Sequence, residues 1–171
     1  VTEVVEVTDE RVYFLSTETS PLRRNLYSVK LNGRDKRRIT HRDGMYRIAP
    51  SRGMRYFISY FSSADSPQIV TLHRANGEQV RVLEDNSDYA KATAELPRKE
   101  FFTFTTERGD RLNGYMVRPS DFDKDQKYPV LMTQYSGPGS QSVSDSWVLG
   151  WEDAMVQNGY VVVCVDGRGT G

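Results

Sequence analysis

The sequence of 171 residues is poor in cysteine, histidine and net charge, and each shortage removes a class of protein. Cys164 has no second thiol to pair with, so no internal disulfide staples the fold. That suits a reduced compartment and equally a disulfide-free periplasmic or secreted protein. Lys plus Arg equals Asp plus Glu at 23 each, which leaves no basic footprint for nucleic acid and none for an anionic membrane. The densest basic run, residues 34–38, is broken by Asp35 beside Asn32-Gly33 and reads as a solvated hairpin turn. No stretch approaches the roughly 20 apolar residues of a membrane-crossing helix. Val1-Thr2-Glu3 does not resemble the start of a signal peptide, but a piece taken from within a longer chain would also lack a leader.

The chemistry of the site is bounded in the same way. No Gly-x-Ser-x-Gly occurs, and the only histidines, His41 and His73, lie among strand-patterned residues. A Ser-His-Asp mechanism needs a serine on a strained elbow with a base in reach, and these residues do not assemble one. No His, Cys, Asp or Glu cluster has metal-ligand spacing, so neither metal nor cofactor is expected.

What is present is a foldable composition, 37% hydrophobic with ten Tyr and seven Phe, and not that of a disordered chain. The first half reads as short strands in two similar copies. Arg11-Val12-Tyr13-Phe14-Leu15-Ser16 resembles Met54-Arg55-Tyr56-Phe57-Ile58-Ser59, and Asn25-Leu26-Tyr27-Ser28-Val29 resembles Gln68-Ile69-Val70-Thr71-Leu72. Asn32-Gly33 and Asn76-Gly77 follow at nearly the same offset, each a type I′ hairpin signal, with further strands after each turn. A repeat of about 43 residues with about four strands is the period of a β-propeller blade. Two copies do not close a propeller, so the segment is the end of a longer array or a small sandwich of the same period. The paired aromatics at Tyr13-Phe14 and Tyr56-Phe57 read as packing residues.

From Glu84 the pattern changes. Residues 88–96 favour a helix, with Asn86 or Ser87 placed to cap it and Pro97 to stop it. Residues 101–105 and 113–118 alternate as two strands around Arg108-Gly109-Asp110. Residues 128–135 form a mostly apolar strand running into Ser136-Gly137-Pro138-Gly139. Trp147, Trp151, Ala154 and Met155 are spaced for one face of a helix that ends at Asn158-Gly159, and residues 160–165 form a continuous apolar strand. Strand, loop, helix and strand make one βαβ crossover, the building unit of α/β sheets.

Two loops follow sheet strands. Tyr135 stands at a carboxyl strand end, where open α/β sheets bind ligands and where a phenolic hydroxyl can donate to charge developing on a reacting oxygen. The same position also suits a Tyr that merely packs with its hydroxyl wet. Asp166-Gly167-Arg168-Gly169 is a glycine-rich strand exit. A lone Gly-x-Gly is a weak phosphate signal, and a tight turn fixed by Asp166 and Arg168 is the plainer reading.

Together these pieces resemble the dipeptidyl peptidase IV family, within the prolyl oligopeptidase group of serine peptidases. Asn25-Leu26-Tyr27, Val70-Thr71-Leu72-His73 and residues 81–87 resemble the last propeller blades and their exit. Lys127-Tyr128-Pro129-Val130-Leu131, Tyr135-Ser136-Gly137-Pro138 and Asp166-Gly167-Arg168-Gly169 resemble the opening of the hydrolase domain. The resemblance implies two partial domains. Residues 1–85 would be the C-terminal two blades of a β-propeller, 86–98 a linker helix, and 99–171 the N-terminal part of an α/β-hydrolase fold. It implies a serine exopeptidase that releases Xaa-Pro or Xaa-Ala dipeptides from the amino terminus of peptide substrates. Tyr135 takes the family's oxyanion-hole position, and Trp151 matches a family Trp in the helix that follows, either structural or near the substrate site. The family's Ser, Asp and His have no match here, so the chain is expected to be an inactive fragment of its parent. A homodimeric parent and a periplasmic or extracellular location are implied as well. An acylaminoacyl peptidase or endopeptidase of the same group, and a non-catalytic propeller interaction module, are the competing readings.

Overall fold

The computed structural model describes residues 1–170, and these are mostly β-sheet with few helices. They form two compact units: the first takes Val1–Lys91 with Ser144–Trp147, the second Ala92–Val143 with the chain from Val148 onward.

The first unit holds two four-stranded antiparallel meanders. One runs β1 (Glu3–Val7), β2 (Arg11–Ser16), β3 (Asn25–Lys30) and β4 (Arg37–Arg38); the other β5 (Met45–Pro50), β6 (Tyr56–Ser63), β7 (Ser66–Arg74) and β8 (Gln79–Glu84). Tyr13, Leu15 and Leu26 of the first meander share one core with Tyr46, Ile48, Phe57 and Phe61 of the second. Burying such side chains is worth about 1.5–3 kcal/mol each, and this joins two sheets that would be marginal alone. Asn25 is fully buried yet satisfied: its amide donates to Arg42 O at 3.1 Å and to Thr40, while its oxygen accepts from Thr19 Oγ1 at 3.2 Å.

The Asn-Gly hairpins lie where the sequence puts them, but not as type I′ turns. In each only the glycine has positive φ, 78° at Gly33 and 92° at Gly77. Gly33 N–H donates to Lys30 O and Lys30 N–H to Arg34 O; Gly77 with Arg74, and Arg74 with Glu78, repeat this. That is a three-residue loop with a glycine bulge. The Asn does another job: Asn32 Oδ1 accepts Arg34 N–H, and Asn76 Oδ1 accepts Glu78 N–H, both at 3.0 Å. The basic run after Asn32-Gly33 is gathered by Asp35, which pairs with Arg37 at 2.8 Å and Arg11 at 3.0 Å. Bonds from Arg37 and then Arg11 hold its carboxyl down at about 2. Met54, expected to start a strand, instead closes a 3-10 turn at Arg52–Met54 and is buried.

Helix α1 spans Ser87–Ala92 and stops well before Pro97. Arg98 Nη2 donates to Thr93 O at 2.7 Å, taking a carbonyl that a longer helix would have used.

The second unit is one mixed sheet in the order β11 (Val130–Thr133), β12 (Val161–Val165), β10 (Arg111–Val117), β9 (Glu100–Thr105). β11 and β12 are parallel and joined through helix α2 (Trp151–Gln157), the crossover expected from the sequence. β12 is paired on both sides and buries Val161, Val162 and Cys164, as its apolar run requires. The expected helix face is corrected. Trp147 lies outside α2, in the first unit, where its ring meets Tyr89 edge-on at 6.2 Å. Trp151 and Ala154 are exposed, and Val156 is the helix residue buried in the core.

Candidate functional site

The second unit places two loops at the carboxyl ends of its two parallel strands, one leaving β11 at Thr133 and the other leaving β12 at Val165. Close backbone packing joins them. Gly139 N–H donates to Gly169 O at 3.2 Å, and a side chain at Gly167 would stand 3.1 Å from Ser136 Oγ. Asp166 makes the strongest tie. It is buried, and its two carboxylate oxygens accept the consecutive N–H groups of Ser142 and Val143, both at 2.9 Å. Thr170 Oγ1 donates to Gly167 O at 2.9 Å, and Arg168 pairs with Asp110 at 3.6 Å. Asp166 is thus the loop-fixing residue expected at the glycine-rich exit, and its carboxylate is taken up by the protein's own backbone.

Tyr135 stands on the first of these loops and is 78% exposed, its hydroxyl open to whatever approaches. The backbone behind it is tightly turned. Ser136 has φ 54°, an uncommon conformation for a residue with a side chain, and its Oγ is bonded by the Gln134 amide. The ring of Tyr135 leans over Gly137, where an added Cβ would lie 2.5 Å from Tyr135 Cε1. Ser140 closes the turn from below, its Oγ donating to Gly137 O at 2.6 Å. A phenol at this position can donate a hydrogen bond to an oxyanion.

Trp151 is the first residue of α2 and 59% exposed. Its ring and that of Tyr135 do not stack among the described residues. Gly150 N–H donates to Asp153 Oδ2 at 2.7 Å, which fixes the helix start carrying Trp151.

Beneath the loops lies a polar cluster that sequence patterning did not single out. Glu152 Oε2 accepts the Tyr115 hydroxyl at 2.9 Å, and Glu152 Oε1 accepts the Thr133 hydroxyl at 3.4 Å. Burial first, and then the neighbouring Glu152 carboxylate, push the Tyr115 hydroxyl well above its ordinary range. Burial also pushes the pKa of the Cys164 thiol up. The residues come from β10, β11, β12 and α2, brought together by strand register and by the α2 crossover.

Both histidines belong to the first unit. His73 Nε2 lies 3.0 Å from Ser59 Oγ, a nucleophile–base distance, with Nδ1 on Gly77 O at 3.2 Å and the ring stacked on Phe57. Ser59 is only 2% exposed, so no substrate meets it. Burial lowers the pKa of His73, which suits a neutral ring bonding two partners inside a sheet.

The chain is similar to known proteins in sequence and in fold. Residues 1–68 match the family model "Dipeptidyl peptidase IV (DPP IV) N-terminal region", and residues 108–171 match "X-Pro dipeptidyl-peptidase (S15 family)". A probable dipeptidyl-aminopeptidase B of Botryotinia fuckeliana is 38% identical over 175 residues, covering 98% of this chain and 19% of the relative. The corresponding protein of Sclerotinia sclerotiorum is 39% identical over 174 residues with the same coverage. The crystal structure of Porphyromonas gingivalis dipeptidyl peptidase 4 aligns with a TM-score of 0.92 at 39% identity, covering 100% of this chain and 25% of that one. The chain therefore spans about one fifth of the length of the curated relatives it matches. On these matches, which run over both of its units, the chain belongs to the dipeptidyl peptidase IV family.

Proposed function

We propose that these residues serve a serine exopeptidase that releases Xaa-Pro or Xaa-Ala dipeptides from the amino terminus of peptides, and that Tyr135 is one donor of its oxyanion hole. The observation that carries the reading is the exposed Tyr135 hydroxyl at the carboxyl end of a parallel strand, braced by Gly137. When a serine attacks the scissile carbonyl, negative charge gathers on the carbonyl oxygen, and the phenol donates a hydrogen bond to it. Asp166 supports that role by binding Ser142 and Val143, which keeps the far end of the Tyr135 loop in place. Trp151 borders the substrate at the start of α2. In this reading residues 1–85 are the last two blades of a β-propeller, 86–98 a linker and 99–171 the opening of an α/β-hydrolase domain.

The 171 residues do not turn over substrate by themselves in this reading. They contain no Gly-x-Ser-x-Gly, and both histidines lie in the first unit. An oxyanion donor without a nucleophile gives no covalent catalysis.

The test uses the full-length protein with a chromogenic Xaa-Pro substrate. Tyr135→Phe removes only the hydroxyl and is expected to lower kcat by about 10²–10³-fold, the usual loss for one oxyanion donor, at an unchanged thermal midpoint. The isolated 171 residues are expected to show no turnover. Unchanged kcat in Tyr135→Phe, or a preference for N-blocked peptides, would overturn the reading.

A further inference from the structure

The two glycines of Asp166-Gly167-Arg168-Gly169 are there for different reasons. Gly169 has φ 83° and nothing within 4 Å of an added Cβ, so its backbone calls for glycine and its surroundings do not. Gly167 is the reverse case. Its φ lies outside the left-handed region, yet an added Cβ would stand 3.1 Å from Ser136 Oγ, 3.7 Å from Ser136 Cβ and 4.0 Å from Gln134 Nε2. The first of these is tighter than packed atoms ordinarily come. What calls for a bare Cα at Gly167 is the loop that rests on it.

The two residues that rest there flank Tyr135 on either side. The Gln134 amide donates to Ser136 Oγ, so their side chains are joined with Tyr135 between them in the chain. Ser136 has little freedom of its own, since φ 54° is already uncommon for a residue with a side chain. Turning its Oγ away from a side chain at position 167 would break the Gln134 bond. Keeping that bond would push the Ser136 backbone instead. Either response moves the residue next to the phenol. The loop does not yield as a whole, because Gly139 N–H is bonded to Gly169 O and Asp166 holds Ser142 and Val143.

We infer that Gly167 is a positioning residue for Tyr135: its bare backbone is the seat of the Gln134–Ser136 pair, and through that pair it sets where the phenol stands. The inference rests on the oxyanion-hole reading of Tyr135 and extends it to the glycine-rich exit of β12. Oxyanion stabilisation depends steeply on donor placement, and a shift of about 1 Å costs up to about 100-fold in rate. A displacement of a few tenths of an ångström, as a Cβ at this distance demands, costs correspondingly less. The hydroxyl bond forms to charge that develops in the transition state, so the effect falls on kcat and not on KM.

The test is a pair of double-mutant cycles in the full-length protein with a Xaa-Pro substrate, thermal unfolding being recorded on each variant. Gly167→Ala is expected to lower kcat by about 3- to 10-fold with KM within about twofold. Ser136→Ala removes the Oγ and leaves a Cβ at 3.7 Å, an ordinary contact. In that background Gly167→Ala is expected to change kcat by less than about twofold, a rescue that a glycine needed for its own backbone would not show. In a Tyr135→Phe background it is also expected to change kcat by less than about twofold, because no hydroxyl remains to be aimed. Ser136→Cys presses the same contact from the other side, with a larger atom on a longer bond and Gly167 intact. It carries the test if Gly167→Ala does not fold, with kcat expected to fall about threefold or more and to be unchanged by it in Tyr135→Phe. If Tyr135→Phe lowers kcat but these variants do not, or if their losses persist in Tyr135→Phe or that of Gly167→Ala persists in Ser136→Ala, the positioning role is overturned and the oxyanion reading stands. If Tyr135→Phe leaves kcat intact, both fall together.

Discussion

A methyl group at Gly137 would stand 2.5 Å from Cε1 of Tyr135 and 3.2 Å from Ser140 Oγ. The nearer atom belongs to an exposed ring, which can swing away at little cost to the fold. Gly137→Ala is therefore expected to leave the unfolding midpoint nearly unchanged while displacing the Tyr135 hydroxyl. In the full-length protein this should appear as a fall in kcat of about 10-fold or more, with KM preserved. A matched loss of stability would instead mean that the glycine serves the turn. At this scale the sequence was informative about Tyr135, because its place at a strand end before Ser-Gly-Pro can be read along the chain. It was silent about Glu152, Thr133 and Tyr115. Those three come from separate elements: the β10–β12 and β11–β12 registers align Tyr115 and Thr133 through Cys164, and helix α2 brings Glu152 to them.

The two repeated hairpins allow a comparison at the scale of the element. Both have glycine at the same bulge position with positive φ, but their surroundings differ. Around Gly33 nothing lies within 4 Å of an added Cβ, whereas at Gly77 the Cβ would meet Ile39 O at 2.6 Å. Gly33→Ala is expected to cost about 1–2 kcal/mol, the strain of a left-handed residue. Gly77→Ala carries the same strain and must also move backbone, so its loss should be clearly larger. Urea unfolding of the two variants side by side checks the order, and equal losses would contradict it. These turns also mark a limit of local reading. Asn-Gly locates a hairpin in either geometry, but the type I′ form needs positive φ at the Asn as well. Here Asn32 and Asn76 bond the backbone two residues on instead, leaving the positive φ to glycine. Helix α2 differs for a related reason: spacing put Trp147 and Trp151 on one face, while chain connectivity took Trp147 elsewhere.

At the scale of the whole molecule, strand patterns were legible because each meander is continuous in sequence, but the make-up of the first unit was not. That unit includes Ser144–Trp147, which arrive more than fifty residues after Lys91. Asp145 is the anchor of this segment. Buried in the unit, it accepts Arg23 Nε at 2.8 Å and Ala64 N–H at 2.9 Å, while its own N–H donates to Leu22 O at 2.9 Å. A chain cut after Lys91 leaves Ala64 N–H without that carboxylate and the Arg23 guanidinium with Asp43 alone, and losing a charge-assisted bond costs about 1–3 kcal/mol. Residues 1–91 alone are therefore expected to unfold at lower urea than the same unit within the 171-residue chain. Asp145→Ala in the longer chain should reproduce much of that loss, and Asp145→Asn, which keeps an acceptor for Ala64 N–H, less of it. The two tryptophans make the measurement direct. In Trp151→Phe the remaining Trp147 sits against Tyr89 and reports on the first unit alone. An unfolding midpoint for Asp145→Ala equal to that of the parent would show that the meanders hold together without the segment.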